Sequence, residues 1–157
     1  MKRILLWIAG FGVIATVAAS IFFRTTADDP VVWHVDPVTV ERTGNPNDYI
    51  VAPEGLRSEK PDRISSVRSG SPKELLFQFD SIAGAVSTRI AGSLETLHIT
   101  YVKRTPLMGY PDYISVKAVE VDGSAALVIY SRSRFGKSDF GANRERIDRW
   151  LAQIGDS

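Results

Sequence analysis

The chain has 157 residues, no cysteine and two histidines, with 19 Lys+Arg set against 18 Asp+Glu. That length holds one folded domain with a leading segment rather than two domains. The balanced charge carries no nucleic-acid signature, and without cysteine no disulfide framework, cysteine zinc site or thiol nucleophile can form. Hydrophobic content of 44% and charged content of 24% are ordinary for a globular protein.

Lys2 and Arg3 precede an uncharged, largely apolar run from Ile4 to Phe23, which Arg24 ends. About twenty such residues at helical rise match the hydrocarbon thickness of a bilayer. The basic pair favours the cytoplasmic side, so the rest of the chain is expected across the membrane. This predicts a single-pass protein of the inner (cytoplasmic) membrane with its C-terminal domain in the periplasm. The rival reading is a cleaved signal peptide, for which Ala15, Ala18 and Ala19 are small enough. Against it, Ile21, Phe22 and Phe23 continue the apolar run past those alanines. Residues 1–24 are therefore read as the anchor, 25–61 as an extended or loop tether with edge strands, and 62–157 as the folded domain.

Within the tether, Val31 to Glu41 is rich in β-branched residues but broken by Pro37, which suits edge strands. Arg42 to Pro61 carries Gly44, Pro46, Pro53 and Gly55 and reads as loop. At Ser71 the signal sharpens. A cap hydroxyl, Pro72 at the first helical position and Glu74 three residues after the cap announce a helix. Leu75, Leu76, Phe79 and Ile82 give it an apolar face, and Gly84 is expected to end it.

Four strands are predicted next: Val86–Ala91, Leu97–Arg104, Tyr113–Glu120 and Ala125–Arg132. The last two are joined at Asp122-Gly123, a pair suited to the positive φ angles of a tight hairpin. A final helix over Phe140–Ile154 has Ile147, Trp150, Leu151 and Ile154 as its buried stripe. The expected fold is α+β: a four-stranded antiparallel meander packed by two helices and preceded by one transmembrane helix. Ile114, Val116, Leu127 and Ile129 should face the helices. Tyr113, Ser115, Lys117, Tyr130 and Arg132 should face outward.

Candidate chemistry gathers between the last strand and the last helix. Ser131 to Ser138 ends in Gly136-Lys137-Ser138 like a phosphate-binding loop, but it lacks the first glycine and has bulky residues where backbone amides would wrap a phosphate. Arg132, Arg134 and Lys137 instead precede a helix N-terminus, which attracts anions. With Trp33, His34, Asp139 and Asn143 they form a candidate ligand or anion site. The structural alternative is that Arg132 pairs with Asp139 or Asp112, that Asp139 or Ser138 caps the helix, and that Asn143 holds the preceding loop. A hydrolase needs a base, which leaves His98 acting with Ser138 or Ser131 and Asp139. No nucleophile elbow is present, since Gly136-Lys137-Ser138-Asp139-Phe140 breaks at its last position. His34 with Asp36 offers too few ligands for a metal, and no cofactor is expected.

Two stretches carry a resemblance. Leu97 to Val116 reads LHITYVKRTPLMGYPDYISV, and Ile129 to Leu151 reads IYSRSRFGKSDFGANRERIDRWL. Together they resemble the DUF1499 family of bacterial and plastid proteins. Trp33-His34-Val35-Asp36-Pro37 and Asn45-Pro46-Asn47-Asp48-Tyr49 are similar to leading segments of its membrane-anchored alphaproteobacterial form. Other branches carry a cysteine-containing Ser-Pro-Asn segment, so any role tied to those cysteines cannot apply here. The family has no established reaction, so the resemblance implies fold and location. The functional expectation is a membrane-tethered, non-catalytic envelope module that binds an anionic lipid, a small ligand or an envelope protein. The hydrolase, and a scaffold for an envelope complex, stand as alternatives.

Overall fold

The structure is a computed structural model and describes residues 1–156, with the side chains of all of these except 5 and 6. The elements, in order, are α1 (Lys2–Thr25), α2 (Pro30–Trp33), β1 (Asp48–Ala52), β2 (Arg63–Ile64), α3 (Pro72–Val86), β3 (Thr88–Ser93), β4 (His98–Arg104), β5 (Pro111–Val121), β6 (Ser124–Ser133) and α4 (Ala142–Gln153). The strands form one six-stranded mixed sheet in the order β2-β1-β6-β5-β4-β3. The β3-to-β6 meander is antiparallel, β1 adds antiparallel to β6, and β2 runs parallel to β1.

This corrects the expected four-stranded antiparallel sheet. Tyr49–Ala52 lies in the stretch read as loop, yet all four residues are buried in an interior strand. The flanking prolines, Pro46 and Pro53, stand just outside the run and break nothing. Val31–Glu41 forms no edge strand. Asp29 instead caps the single turn of α2 by accepting from the Val31 N–H at 2.9 Å.

One face of the sheet carries the apolar core. Ile114, Val116, Leu127 and Ile129 point into it as expected, against Leu76 and Phe79 of α3 and Ile147 and Leu151 of α4. α3 starts on a complete capping box: Ser71 Oγ accepts from the Glu74 N–H, and Glu74 Oε2 accepts from the Ser71 N–H. It runs through Gly84 to Val86 because a glycine one turn before the end weakens a helix without stopping it once the apolar face is packed. Asp122 and Gly123 both adopt positive φ, as their hairpin turn requires.

The other face is not open to solvent. Residues 26–43 lie across it as a strap, so the expected outward face of Tyr113, Ser115, Lys117, Tyr130 and Arg132 is largely covered. Trp33 stacks flat on Tyr113, with centroids 3.9 Å apart, and Asp36 pairs with Lys117. Gly92 lets the sheet close beneath the strap. A Cβ there would stand 1.9 Å from the His98 carbonyl oxygen and 3.0 Å from the His34 ring.

α1 is long and apolar enough to cross a membrane by length and composition, and none of its apolar window is buried against the body. At about 1.5 Å per residue it spans roughly 36 Å. A signal sequence meets the same test. Its C-terminal end is tied to the sheet. Arg104 donates to the carbonyls of Phe23 and Thr26 and to both Asp28 carboxylate oxygens, while Arg24 donates to the Pro106 and Leu107 carbonyls.

Candidate functional site

Alternation along β6 splits the candidate residues between the two faces. Arg132 lies on the strap face and is 3% exposed. It pairs with neither Asp139 nor Asp112. Among the described residues its guanidinium donates to the Trp33 carbonyl at 2.6 Å, to Ser115 Oγ at 3.3 Å and to the Tyr130 carbonyl at 3.4 Å. Its flat face lies 4.8 Å from the Tyr130 ring centre and 5.5 Å from that of Trp33. Burial pushes its pKa down to about 10, so it stays charged at neutral pH. A guanidinium sealed in this way holds the strap and has no face left for a ligand.

Arg134 is half-buried. It donates to the Ala27 carbonyl at 2.8 Å and lies 5.3 Å from the centre of the Phe135 ring. Lys137 is exposed at the loop tip. On the helix face, Asn143 is buried and fully used. Its Oδ1 accepts from Ser131 and Arg146, and its Nδ2 donates to the Asn47 carbonyl and to Ser133. The Asp139 carboxylate accepts from the Gly141 and Asn143 N–H groups at 3.0 and 2.7 Å. The positive end of α4 is thus met by the chain's own carboxylate and is not left for an anion. Asp112 pairs with Arg146 at 2.6 Å and accepts from Ser133. The structure therefore gathers Trp33, Arg132 and Arg134, with His34 beside them, and places Asp139 and Asn143 across the sheet.

The two histidines stack at 3.9 Å on the strap face. His34 Nδ1 hydrogen-bonds Thr100 Oγ1 at 2.8 Å, and His98 Nε2 donates to the Val35 carbonyl at 3.1 Å. Burial, reinforced by the neighbouring His34, pushes the His98 pKa down to about 4, and burial also lowers His34. His98 pairs across the sheet with Lys117, whereas Ser131 pairs with Ile114 and points to the helix face. Lys117 to Asp112 alone covers about 17 Å of β5, and Ser138 and Asp139 lie beyond that end. The residues of the hydrolase alternative do not converge.

A different site stands at this end of the sheet. The loop 105–110 between β4 and β5 and the loop 134–141 between β6 and α4 flank a cleft of about 560 Å³. Its walls are Phe23 of α1, Tyr110, Phe135 and Phe140, with Thr105, Asp112, Ser138 and Asp139 as polar members. Phe23 packs 4.3 Å from Tyr110 and 5.0 Å from Phe135, centre to centre. Gly109 makes the approach possible: a Cβ there would overlap Arg24 at 2.3 Å. A groove of comparable volume beside Phe77 and Leu94 lies on the outer side of α3, away from these groups. None of the four aromatic wall residues stands out in the sequence as a site residue. The available signal is three aromatics, Tyr110, Phe135 and Phe140, in segments otherwise made of turn residues.

Residues 34–154 match the family model described as "Protein of unknown function (DUF1499)". No curated protein matches the chain, and no solved structure does.

Proposed function

This chain belongs to the DUF1499 family, and from that premise we propose that it is a membrane-tethered, non-catalytic binding module of the cell envelope. In this reading α1 crosses the inner membrane once, the body lies in the periplasm, and the cleft between loops 105–110 and 134–141 holds an amphipathic ligand. The chain is assigned to the membrane-anchored alphaproteobacterial branch on its Trp33–Pro37 and Asn45–Tyr49 segments. One observation carries the reading: the last turn of α1 is built into the cleft wall through Phe23. A helix that only leashed the body would need no such fit. An aromatic cleft with a few polar members suits an amphiphile of moderate size. Arg132 is withdrawn from the anion site, because the strap occupies it. Arg134 is likewise engaged by the strap, through the Ala27 carbonyl, and Lys137 remains as the exposed basic group on the 134–141 loop.

Two measurements test this. An exported reporter enzyme fused behind the body should be active, and the chain should resist alkaline extraction from membranes. Activity of a cytosolic reporter alone overturns the topology. Solvent extraction of the purified full chain, followed by mass spectrometry, should return an amphiphile in near-equal amount. A folded chain with an empty extract overturns the binding reading.

A further inference from the structure

We propose that the cleft takes one acyl chain of a phospholipid, drawn from the leaflet in which α1 ends. The inference rests on the reading of α1 as a membrane span and names the ligand class of the site proposed above. Three observations lead to it.

The first is continuity. Phe23 belongs both to the apolar surface of α1 and to the cleft wall, so hydrocarbon lying along α1 reaches the cleft without crossing water. Ties from Arg104 and Arg24 hold that end of the helix against the 105–110 loop, and Phe23 packs on Phe135 of the other loop. The mouth therefore stays at the depth where the span ends.

The second is the rim. Phe140 is 96% exposed and Leu107 is 82% exposed, one on each flanking loop. Phe140 also holds a φ of +54°, a left-handed conformation that costs a non-glycine residue roughly 1 kcal/mol. An outward phenylalanine in strained backbone gains nothing in water. At a bilayer boundary it buries its ring.

The third is the polarity of the interior. Its two carboxylates are already engaged, Asp112 by Arg146 and Ser133, and Asp139 by the first amides of α4. No side-chain cation lines the cleft among the described residues. The inside thus favours a neutral tail over an anionic head group. Lys137, exposed on the loop that carries Phe135 and Phe140, is left for the phosphate outside. A volume of about 560 Å³ lies within the range of small-ligand sites.

The test uses the full chain in nanodiscs of zwitterionic and anionic phospholipid, doped with a phospholipid bearing a diazirine on one acyl tail. After illumination, adducts are mapped by peptide mass spectrometry. Adducts are expected on the peptides holding Tyr110 and Phe135 as well as along α1. Ala142 lines the cleft at the first position of α4, so Ala142→Trp fills it. Phe140→Asp changes an exposed wall residue at the mouth of the cleft and leaves the packed body intact. Each should lower the Tyr110 and Phe135 adducts about tenfold, a 1.4 kcal/mol change in occupancy, with the α1 adducts unchanged.

Adducts along α1 without adducts in the cleft overturn this inference and leave the membrane span standing. Cleft adducts insensitive to both substitutions also overturn it. Absence of adducts from α1 overturns the anchor reading itself. A non-lipid amphiphile recovered by solvent extraction keeps the binding module and overturns the acyl-chain site.

Discussion

Under α3 and α4 the sheet presents Ile114, Val116, Leu127 and Ile129 to an apolar core, while the same strands present Tyr113, Ser115, Tyr130 and Arg132 to the strap. The helix face is closed mainly by apolar side chains, so its stability scales largely with buried area and tolerates many arrangements of similar volume. The strap face is closed by directed contacts: Arg132 to the Trp33 carbonyl, Trp33 on Tyr113, His34 on His98, and Asp36 to Lys117. Each of these needs a particular partner in a particular place. The helix face therefore accounts for the fold, and the strap face fixes how the segment leading from α1 lies on it.

The largest effect should come from the helix face. Phe79 is fully buried, and Phe79→Ala should cost about 3–5 kcal/mol in denaturant unfolding of the full chain in detergent. A loss below about 1 kcal/mol would mean that the core is not where the energy lies. The strap should respond less and more locally. Arg132→Met keeps the stem packing but leaves the Trp33 carbonyl without its donor, for about 2–3 kcal/mol. Residues 28–43 should then gain amide exchange and protease sensitivity while β5 and β6 stay protected. If strap and core lose protection together, the two faces form one cooperative unit and the contrast fails.

Acid should produce a smaller effect, confined to the strap face. The pKa of His98 is about 4 in the folded chain against 6.5 for a free histidine, so the unfolded chain binds more protons between those values. Its contribution is fully present above pH 6.5 and is lost as pH falls through 4. Partial solvent access at His98 screens the shift, leaving on the order of 2 kcal/mol. His98→Gln should flatten the profile. A stability curve equally steep in that variant would assign the acid loss to the carboxylates of the ion pairs instead.

The helix face was largely open to reading in the sequence. Ser71-Pro72-Lys73-Glu74 declared the start of α3, Asp122-Gly123 declared the hairpin, and apolar alternation along β5 and β6 marked the inward residues. Those signals act between residues a few positions apart, where backbone geometry and solvent dictate the outcome. β1 was missed because a four-residue apolar run between prolines satisfies a loop reading as well as a strand. Only a vacant edge on β6 decides between the two. Asn143 as a loop-holding amide was foreseeable from its place at the helix start; the N-cap of α4 is Gly141, and Asp139, two residues ahead of it, accepts from the Gly141 and Asn143 N–H groups. The partners of Arg132 were not foreseeable, since the two acids expected to pair with it, Asp112 and Asp139, serve Arg146 and the amides at the start of α4.

By itself the sequence determined an apolar N-terminal helix, the inward face of the meander and the two helices that cover it, because periodicity and capping are local. Tertiary structure alone decided the sixfold sheet, the strap and the aromatic cleft. Phe23 meets Tyr110 and Phe135 only after the chain has folded back on itself, and no local rule anticipates which distant surfaces will close together.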